Sequence, residues 1–443
     1  MKKYLLLFSM ALVLLLSISS CRPKEKEPYN VVEAKDVVMY QVNPRVFAPQ
    51  NSLKAVTARI DSIKDLGVNV IWIMPIYPIG KEKTKNSPYS ISNYTAIAPE
   101  FGTIEDLKEL VDSCHARDMG VILDWVANHT AWDHPWVKEH PDWYTHDEKG
   151  NIISPPNTDW YDVADLNYDS PDLRKAMIDA MTFWIKDVGI DGFRCDVADW
   201  VPVDFWKTAI AALRKAAKPR RILMLAEGNR VDNFTVAGFD MNYAWDFKNA
   251  LVKVFNGAPV DSLFAADKAE YDSIPKGKMK LRFTTNHDYA THASPTTEFI
   301  NERGSMAAWV TCVMLHGGPL IYGSQEVAYP DTINFFHYVP VDWSACPEIF
   351  NEYKQLIKLY KENSALHRGE LKPFANRDIV AFERIDDKER VLVLANVRND
   401  SKQIKTPVGW IDIDLIDMVT GKAIVLPESF TLDPFEYYIL QPK

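Results

Sequence analysis

Three carboxylates stand where a carboxylate is most useful to chemistry, at or just beyond the end of an apolar run: Asp196 in Gly192-Phe193-Arg194-Cys195-Asp196, Glu227 in Ala226-Glu227-Gly228 and Asp288 in Asn286-His287-Asp288. A fourth acid opens the segment Asp124-Trp125-Val126-Ala127-Asn128-His129. Acids brought from separate strand ends to one mouth are what cleavage of a glycosidic bond needs. One carboxylate attacks or steadies the sugar cation while another protonates the departing oxygen. Arg194 and Asp196 are two apart, so on a strand both point the same way, and the guanidinium favours the ionised carboxylate. Asp196 is therefore the expected nucleophile. Glu227 ends a fully apolar strand, where desolvation raises its pKa toward that of a working general acid. Asp288 is expected to reach a hydroxyl pair of a bound sugar and brace the distorted ring. Each acid taken alone also has a plain structural reading, as a loop cap for Asp196 and Asp288 or half of an ion pair for Glu227. Recurrence at three strand ends favours chemistry. His129 and His287 are open to the same two readings, and their place beside the acids favours contact with substrate.

The elements that must deliver these residues follow from periodicity. Apolar strand-like runs at 37–42, 68–74, 121–126, 190–197, 222–227, 238–242, 279–285 and 319–322 alternate with amphipathic helical stretches, the pattern of βα repeats. Leu53, Val56, Ile60 and Ile63 recur at helical spacing up to Gly67. Thr103 with Asp106 reads as a capping box, and Ser170-Pro171 as a helix start. Eight strands with helices between them predict a (β/α)8 TIM barrel over residues 35–367. Residues 131–166, rich in Trp, Tyr, His and Asp, are too long for an ordinary βα loop and predict a short inserted subdomain after strand 3. From 368 to 443 short alternating runs at 379–383, 390–396, 411–416 and 436–440 predict a C-terminal β-sandwich domain.

The chain's 443 residues suffice for one large domain and a smaller one. With 47% hydrophobic and 25% charged residues and a mean hydropathy of -0.20, a multi-span membrane protein is excluded. The net charge of -10 argues against a nucleic-acid partner and suits a neutral substrate. Aromatic residues reach 12%; Trp132, Trp136, Trp143, Tyr144, Trp160, Tyr161 and Trp200 lie near the expected mouth, some as stacking platforms and the rest as packing. Lys2 and Lys3 before an apolar run at 4–16 read as a signal peptide. Small residues before Cys21 resemble the lipobox of bacterial lipoproteins, which predicts an exported protein held at a membrane only by a lipid on Cys21. Residues 1–21 are then the lipoprotein signal peptide and 22–34 a tether. Cys114, Cys195, Cys312 and Cys346 show no paired spacing and read as single buried thiols. No oligomer interface is legible.

Together the four segments resemble the conserved regions of the α-amylase superfamily of glycoside hydrolases, in order, and the resemblance runs from about Val37 to the C-terminus. It implies a (β/α)8 barrel with a loop subdomain and a C-terminal β domain. It also implies Asp196 as nucleophile, Glu227 as acid/base and Asp288 as transition-state stabiliser. Arg194, His129 and His287 are implied to contact the sugar at the cleavage point, with Asp124 as structural support. Tyr89, in the stretch from Ser87-Pro88-Tyr89 to Phe101-Gly102-Thr103, is implied to stack on that sugar. Asn128 and Asp165 match positions that in many members help hold a structural calcium ion, a metal suited to hard oxygen ligands; no organic cofactor is implied. The chain departs from the family where α-amylases commonly carry Lys-His beyond the nucleophile and this sequence has Asp199-Trp200. Trp200 is kept as a candidate substrate contact. The function so implied is retaining hydrolysis of α-glucosidic bonds, chiefly α-1,4, in maltooligosaccharides or starch-like glucans through a glycosyl-aspartate. The alternatives are a transglycosylase (glucanotransferase) with the same residues and a non-catalytic glycan-binding protein.

Overall fold

The computed structural model describes residues 28–443. The expected targeting segment, the Cys21 anchor and positions 22–27 of the tether lie outside the described residues. Residues 29–34, assigned to the tether by composition, are instead part of the fold. Val31 is fully buried against Gly120, the Tyr29 ring stacks on His115 at 4.4 Å, and Asn30 Oδ1 accepts the Arg221 amide at 2.8 Å. Proline and charge in 22–28 misplaced that boundary, because a short apolar plug carries no periodicity.

The barrel is closed and parallel. Its strands are β1 (Met39–Val42), β2 (Val70–Ile73), β3 (Gly120–Trp125), β6 (Gly192–Cys195), β7 (Leu223–Ala226), β8 (Met241–Tyr243), β9 (Met279–Arg282) and β10 (Gly318–Tyr322). The two strands passed over, β4 (His129–Ala131) and β5 (Val163–Asp165), pair with each other in the insertion after β3. Around the barrel the order is β1-β10-β9-β8-β7-β6-β3-β2, so β7 lies diametrically opposite β1. Every predicted strand is present. Short bulky runs such as Val-Ile-Trp-Ile in β2 can be buried on both faces, as a parallel sheet covered by helices requires. Trp72, Leu223, Met241, Leu281 and Leu320 fill the inside as a packed core. The N-terminal plug closes the end of the barrel opposite the mouth.

Helix signals were legible in the same way. Thr103 and Asp106 exchange hydrogen bonds of 3.2 and 2.8 Å at the head of the helix Ile104–His115. Ser170 Oγ accepts the Leu173 amide at 3.3 Å to start Pro171–Phe183. The single helix read from Leu53 to Ile63 is two, Ser52–Ala58 and Ile60–Asp65, divided at Arg59.

Beyond the barrel, β11 (Glu370–Pro373), β12 (Ile379–Ile385), β13 (Arg390–Asn396), β18 (Tyr437–Pro442), β15 (Leu415–Asp417) and β16 (Ala423–Ile424) form one antiparallel sheet in that order. A two-stranded ribbon of β14 (Lys402–Lys405) and β17 (Ser429–Leu432) packs on it, with Ile404 and Leu432 meeting Ile379, Leu392 and Leu440. The alternate residues of the same strands, Val380, Phe382, Val391 and Val393, join the barrel's own core. The β-sandwich therefore shares a core with the barrel. Cys114, Cys195 and Cys312 are buried and free, as expected, whereas Cys346 is only half-buried.

Candidate active site

The site grows from Asp124 outward. Its side chain points into the barrel from β3 and is fully buried. One oxygen accepts Arg194 Nη1 at 2.8 Å, while the other accepts Trp72 Nε1 and the Tyr89 hydroxyl, both at 3.1 Å. A carboxylate with three donors and no solvent orients its neighbours and is in no position to react.

Arg194 is the hub. From β6 its Nη1 also donates to Asp196 Oδ1 at 2.8 Å, its Nη2 lies 3.0 Å from Glu227 Oε2 and its Nε donates to the Tyr243 hydroxyl at 3.1 Å. The guanidinium lies over Trp72 and Tyr243, 5.0 and 5.6 Å from the ring centroids. Expectation paired this cation with Asp196 alone. In the structure one positive charge serves three buried carboxyls, and burial outweighs it. Desolvation pushes Asp124, Asp196 and Glu227 all above the ordinary carboxylate range, against the downward pull of Arg194, and Glu227 is raised furthest. One guanidinium cannot balance three carboxylates, so the cluster retains a proton near neutrality, and Glu227 is its most favourable seat.

Asp196 and Glu227 stand one residue past β6 and β7. Glu227 Oε2 also accepts the Val197 amide at 2.6 Å, tying the acid's strand to the residue after Asp196. Val197 has φ 34°, left-handed for a β-branched residue, a conformation costing roughly 1–3 kcal/mol. Asp288 is set differently. It follows β9 by six positions, in the single turn His287–Ala290, where Asn286 Oδ1 caps the amides of Asp288 and Tyr289 at 3.0 and 3.1 Å. Its side chain, 47% exposed, faces the mouth beside His287.

Both histidines are neutral: burial lowers His129 and His287 to about 4. Gln41 Nε2 donates to His287 Nδ1 at 2.8 Å, leaving the proton on Nε2, which meets the Tyr89 hydroxyl at 2.7 Å. Tyr89 and His287 stack at 5.4 Å and 19°. Tyr89, His129, His287, Asp196, Glu227 and Asp288 together line one cleft of about 280 Å³, whereas Arg194 and Asp124 are fully buried and do not line it.

The remaining expectations fare unevenly. Of the seven aromatic platforms only Trp160 lines the cleft, edge-on to His129. Trp143 and Tyr144 are packed inside the insertion. Trp200, 53% exposed, stacks on Trp160 at 5.2 Å and is absent from the cleft wall. Its neighbour Asp199 is committed to the loop after Glu227, accepting the amides of Asn229 and Arg230 and the Asn233 side chain at 2.9, 3.3 and 2.7 Å. Any Cβ on Gly228 would strike that carboxylate. The departure from Lys-His is thus structural at Asp199. Asn128 and Asp165 supply only part of the donor set that calcium takes, roughly six to eight oxygens, and no three His, Cys, Asp or Glu side chains converge on a metal position among the described residues. Lys85, Asp159, Asp162, Phe335 and Phe336 also line the cleft and were not anticipated. They sit on loops without periodicity; Asp159 and Asp162 lie within the Asp-rich insertion read at 131–166, and for the others the one signal was the adjacent Phe335-Phe336 pair in a polar stretch.

The raised carboxyls fix a pH dependence. A carboxyl whose folded pKa is raised binds its proton more tightly in the native state, so stability falls as pH rises from the unfolded toward the folded value. The depressed histidines act oppositely, and their effect is complete above about pH 6.5. Above neutrality only the carboxyl effect remains. Tm is expected to decline as pH is raised past about 7, and kcat/KM to fall with it as Glu227 gives up its proton. A Glu227→Gln protein whose Tm slope over that range equals the wild type's would refute the assignment.

Comparison with known proteins accords with this geometry. The model of the α-amylase catalytic domain matches residues 41–410. A probable oligo-1,6-glucosidase 2 of Bacillus subtilis is 35% identical over 198 residues, covering 37% of this chain and 34% of the relative. The α-amylase MalA of Haloarcula japonica is 27% identical over 429 residues, 90% of this chain and 60% of the relative. The chain thus spans about a third and three-fifths of the length of those two relatives. A maltogenic α-amylase of Thermotoga neapolitana superposes with a TM-score of 0.81 at 25% identity, covering 92% of this chain and 99% of that one.

Proposed function

This chain belongs to the α-amylase catalytic-domain family, and from that premise we propose that it is a retaining glycoside hydrolase of α-glucosidic bonds, chiefly α-1,4, in maltooligosaccharides or starch-like glucans. The carrying observation is the single guanidinium that holds Asp196 and Glu227 on adjacent nitrogens. Carboxyls gripped by one fork belong with the close pairs, about 5–5.5 Å apart, of retaining enzymes, as opposed to the wider pairs that leave room for a water. In this reading Asp196 attacks the anomeric carbon while Glu227 gives its proton to the leaving oxygen, forming a glycosyl ester. Glu227 then takes a proton from the water that releases the sugar. The neutral state of His129 and His287 suits this role, since imidazolium would repel the positive charge growing on the ring. Asp288, open to the mouth, suits the sugar hydroxyls, and Tyr89 offers the flat face.

Supporting the substrate class are the names of the relatives, α-amylase and oligo-1,6-glucosidase. The sequence of residues 1–21 supports export with a lipid on Cys21. The test is anomer-resolved NMR of the first products from maltooligosaccharides. The α-anomer is expected before mutarotation. Initial β-anomer would overturn the mechanism, and a product set of only longer or rearranged saccharides would replace hydrolysis with transglycosylation.

A further inference from the structure

We propose that the cleft is blind on its glycone side, so that the protein acts on the non-reducing ends of α-glucans and releases a unit of one or two sugars. The inference rests on the hydrolase reading above and concerns which bonds that chemistry can reach.

The wall is the segment 81–89 after β2. On one flank it is fastened to the insertion after β3. The Lys81 amide donates to Asp133 at 2.8 Å, and Lys83 lies 3.4 Å over the Trp132 ring. Lys85 Nζ donates to the Asp159 carbonyl at 3.1 Å and lies 3.8 Å from the Asp162 carboxylate. On the other flank Asn86 Nδ2 donates to the Phe336 carbonyl, in the loop after β10, at 2.6 Å. Beneath it the buried Arg45 donates to the carbonyls of both Asn86 and Phe335 at 2.9 and 3.0 Å, while Glu100 holds the rest of its guanidinium at 2.6 and 3.1 Å. The loops after β2, β3 and β10 are thereby joined into one arc over β1.

Direction follows from topology. The leaving oxygen must sit on the side of the acid that protonates it, which is Glu227 at the end of β7. The arc over β1 lies across the barrel from β7. The sugar that supplies the anomeric carbon, and every unit beyond it toward the non-reducing end, must then extend into the arc. An internal segment of a polymer cannot be seated without displacing fastened loops. Lys85 and Asp162, which face the cleft from the arc, offer a donor and an acceptor to the hydroxyls of a terminal sugar, where an internal unit would present a glycosidic oxygen instead.

The test compares maltoheptaose with the same heptasaccharide carrying a 4,6-O-ethylidene group on its non-reducing end. The free sugar is expected to yield glucose or maltose first, and the blocked one to be cleaved slower by roughly 100-fold or more, as a steric and hydrogen-bonding mismatch in a closed pocket implies. A Lys85→Ala, Asn86→Ala double variant, which removes the Lys85 contacts on one flank and the Asn86 side-chain contact on the other, is expected to loosen the arc and narrow that ratio by raising the rate on the blocked sugar. Equal rates on the two sugars with the wild-type protein would overturn the proposal, as would a ratio unmoved in a double variant that still cleaves the free sugar. Cleavage of neither sugar by the wild type would instead remove the hydrolase reading on which it stands.

Discussion

An Asp196→Asn protein is expected to lose turnover by roughly four to six orders of magnitude, the scale on which removing a covalent nucleophile acts. Its fold should survive. The amide keeps an oxygen for Arg194 Nη1 at a position now 2.8 Å away, and the substitution takes one negative charge from a buried cluster of three that share one cation. Tm is therefore expected to stay level or rise while activity vanishes. That pairing separates a reacting carboxylate from a structural one, because a loop-capping aspartate would lose stability and leave kcat largely intact. Initial rates on a maltooligosaccharide together with a thermal melt suffice. Turnover above a tenth of wild type would end the assignment.

Replacing Arg194 by alanine should do the reverse, costing stability first. Removing one partner from a buried ion pair typically costs about 3–5 kcal/mol, and here one residue serves Asp124, Asp196, Glu227 and the Tyr243 hydroxyl. The orphaned carboxyls can escape only by taking up protons, so the loss should be smaller at pH 5 than at pH 8. Arg194→Lys should not rescue, since one ammonium cannot reach three oxygens and a hydroxyl in a planar fork. Chemical denaturation at both pH values reads this directly. A penalty independent of pH would mean that the carboxyls are not held by Arg194.

These two residues also mark how far the sequence could be read. Arg194 beside Asp196 is a local pattern, legible as two residues on one side of a strand. The sharing of Arg194 with Asp124 and Glu227 is not, because those partners lie 70 and 33 positions away and meet only when the barrel closes. Eight strands could be read because each is a bulky run between polar turns. The ribbon Lys402–Lys405 and Ser429–Leu432 was missed because Lys-Gln-Ile-Lys carries a single apolar residue and Ser-Phe-Thr-Leu, though alternating, is only four residues long. Tyr89 was reached through the family pattern, yet its contact with His287 spans 198 positions. Lys85 had no pattern to betray it and Phe335 only its pairing with Phe336, since loops that close a cleft are chosen for where the scaffold puts them. Asp199 was flagged as a departure, but its use as an anchor for the loop after Glu227 emerged only with the partners in place.

The plug formed by Tyr29 and Val31 has a consequence for how the molecule would be presented. It enters at the pole opposite the mouth, seated on Gly120 at the start of β3 and on His115 at the end of its helix. Cys21 precedes Pro28 by only seven positions, a span of at most roughly 25 Å for extended chain. A lipid on that cysteine would moor the barrel close to a bilayer by its floor, with the cleft turned outward like an upright cup toward passing chain ends.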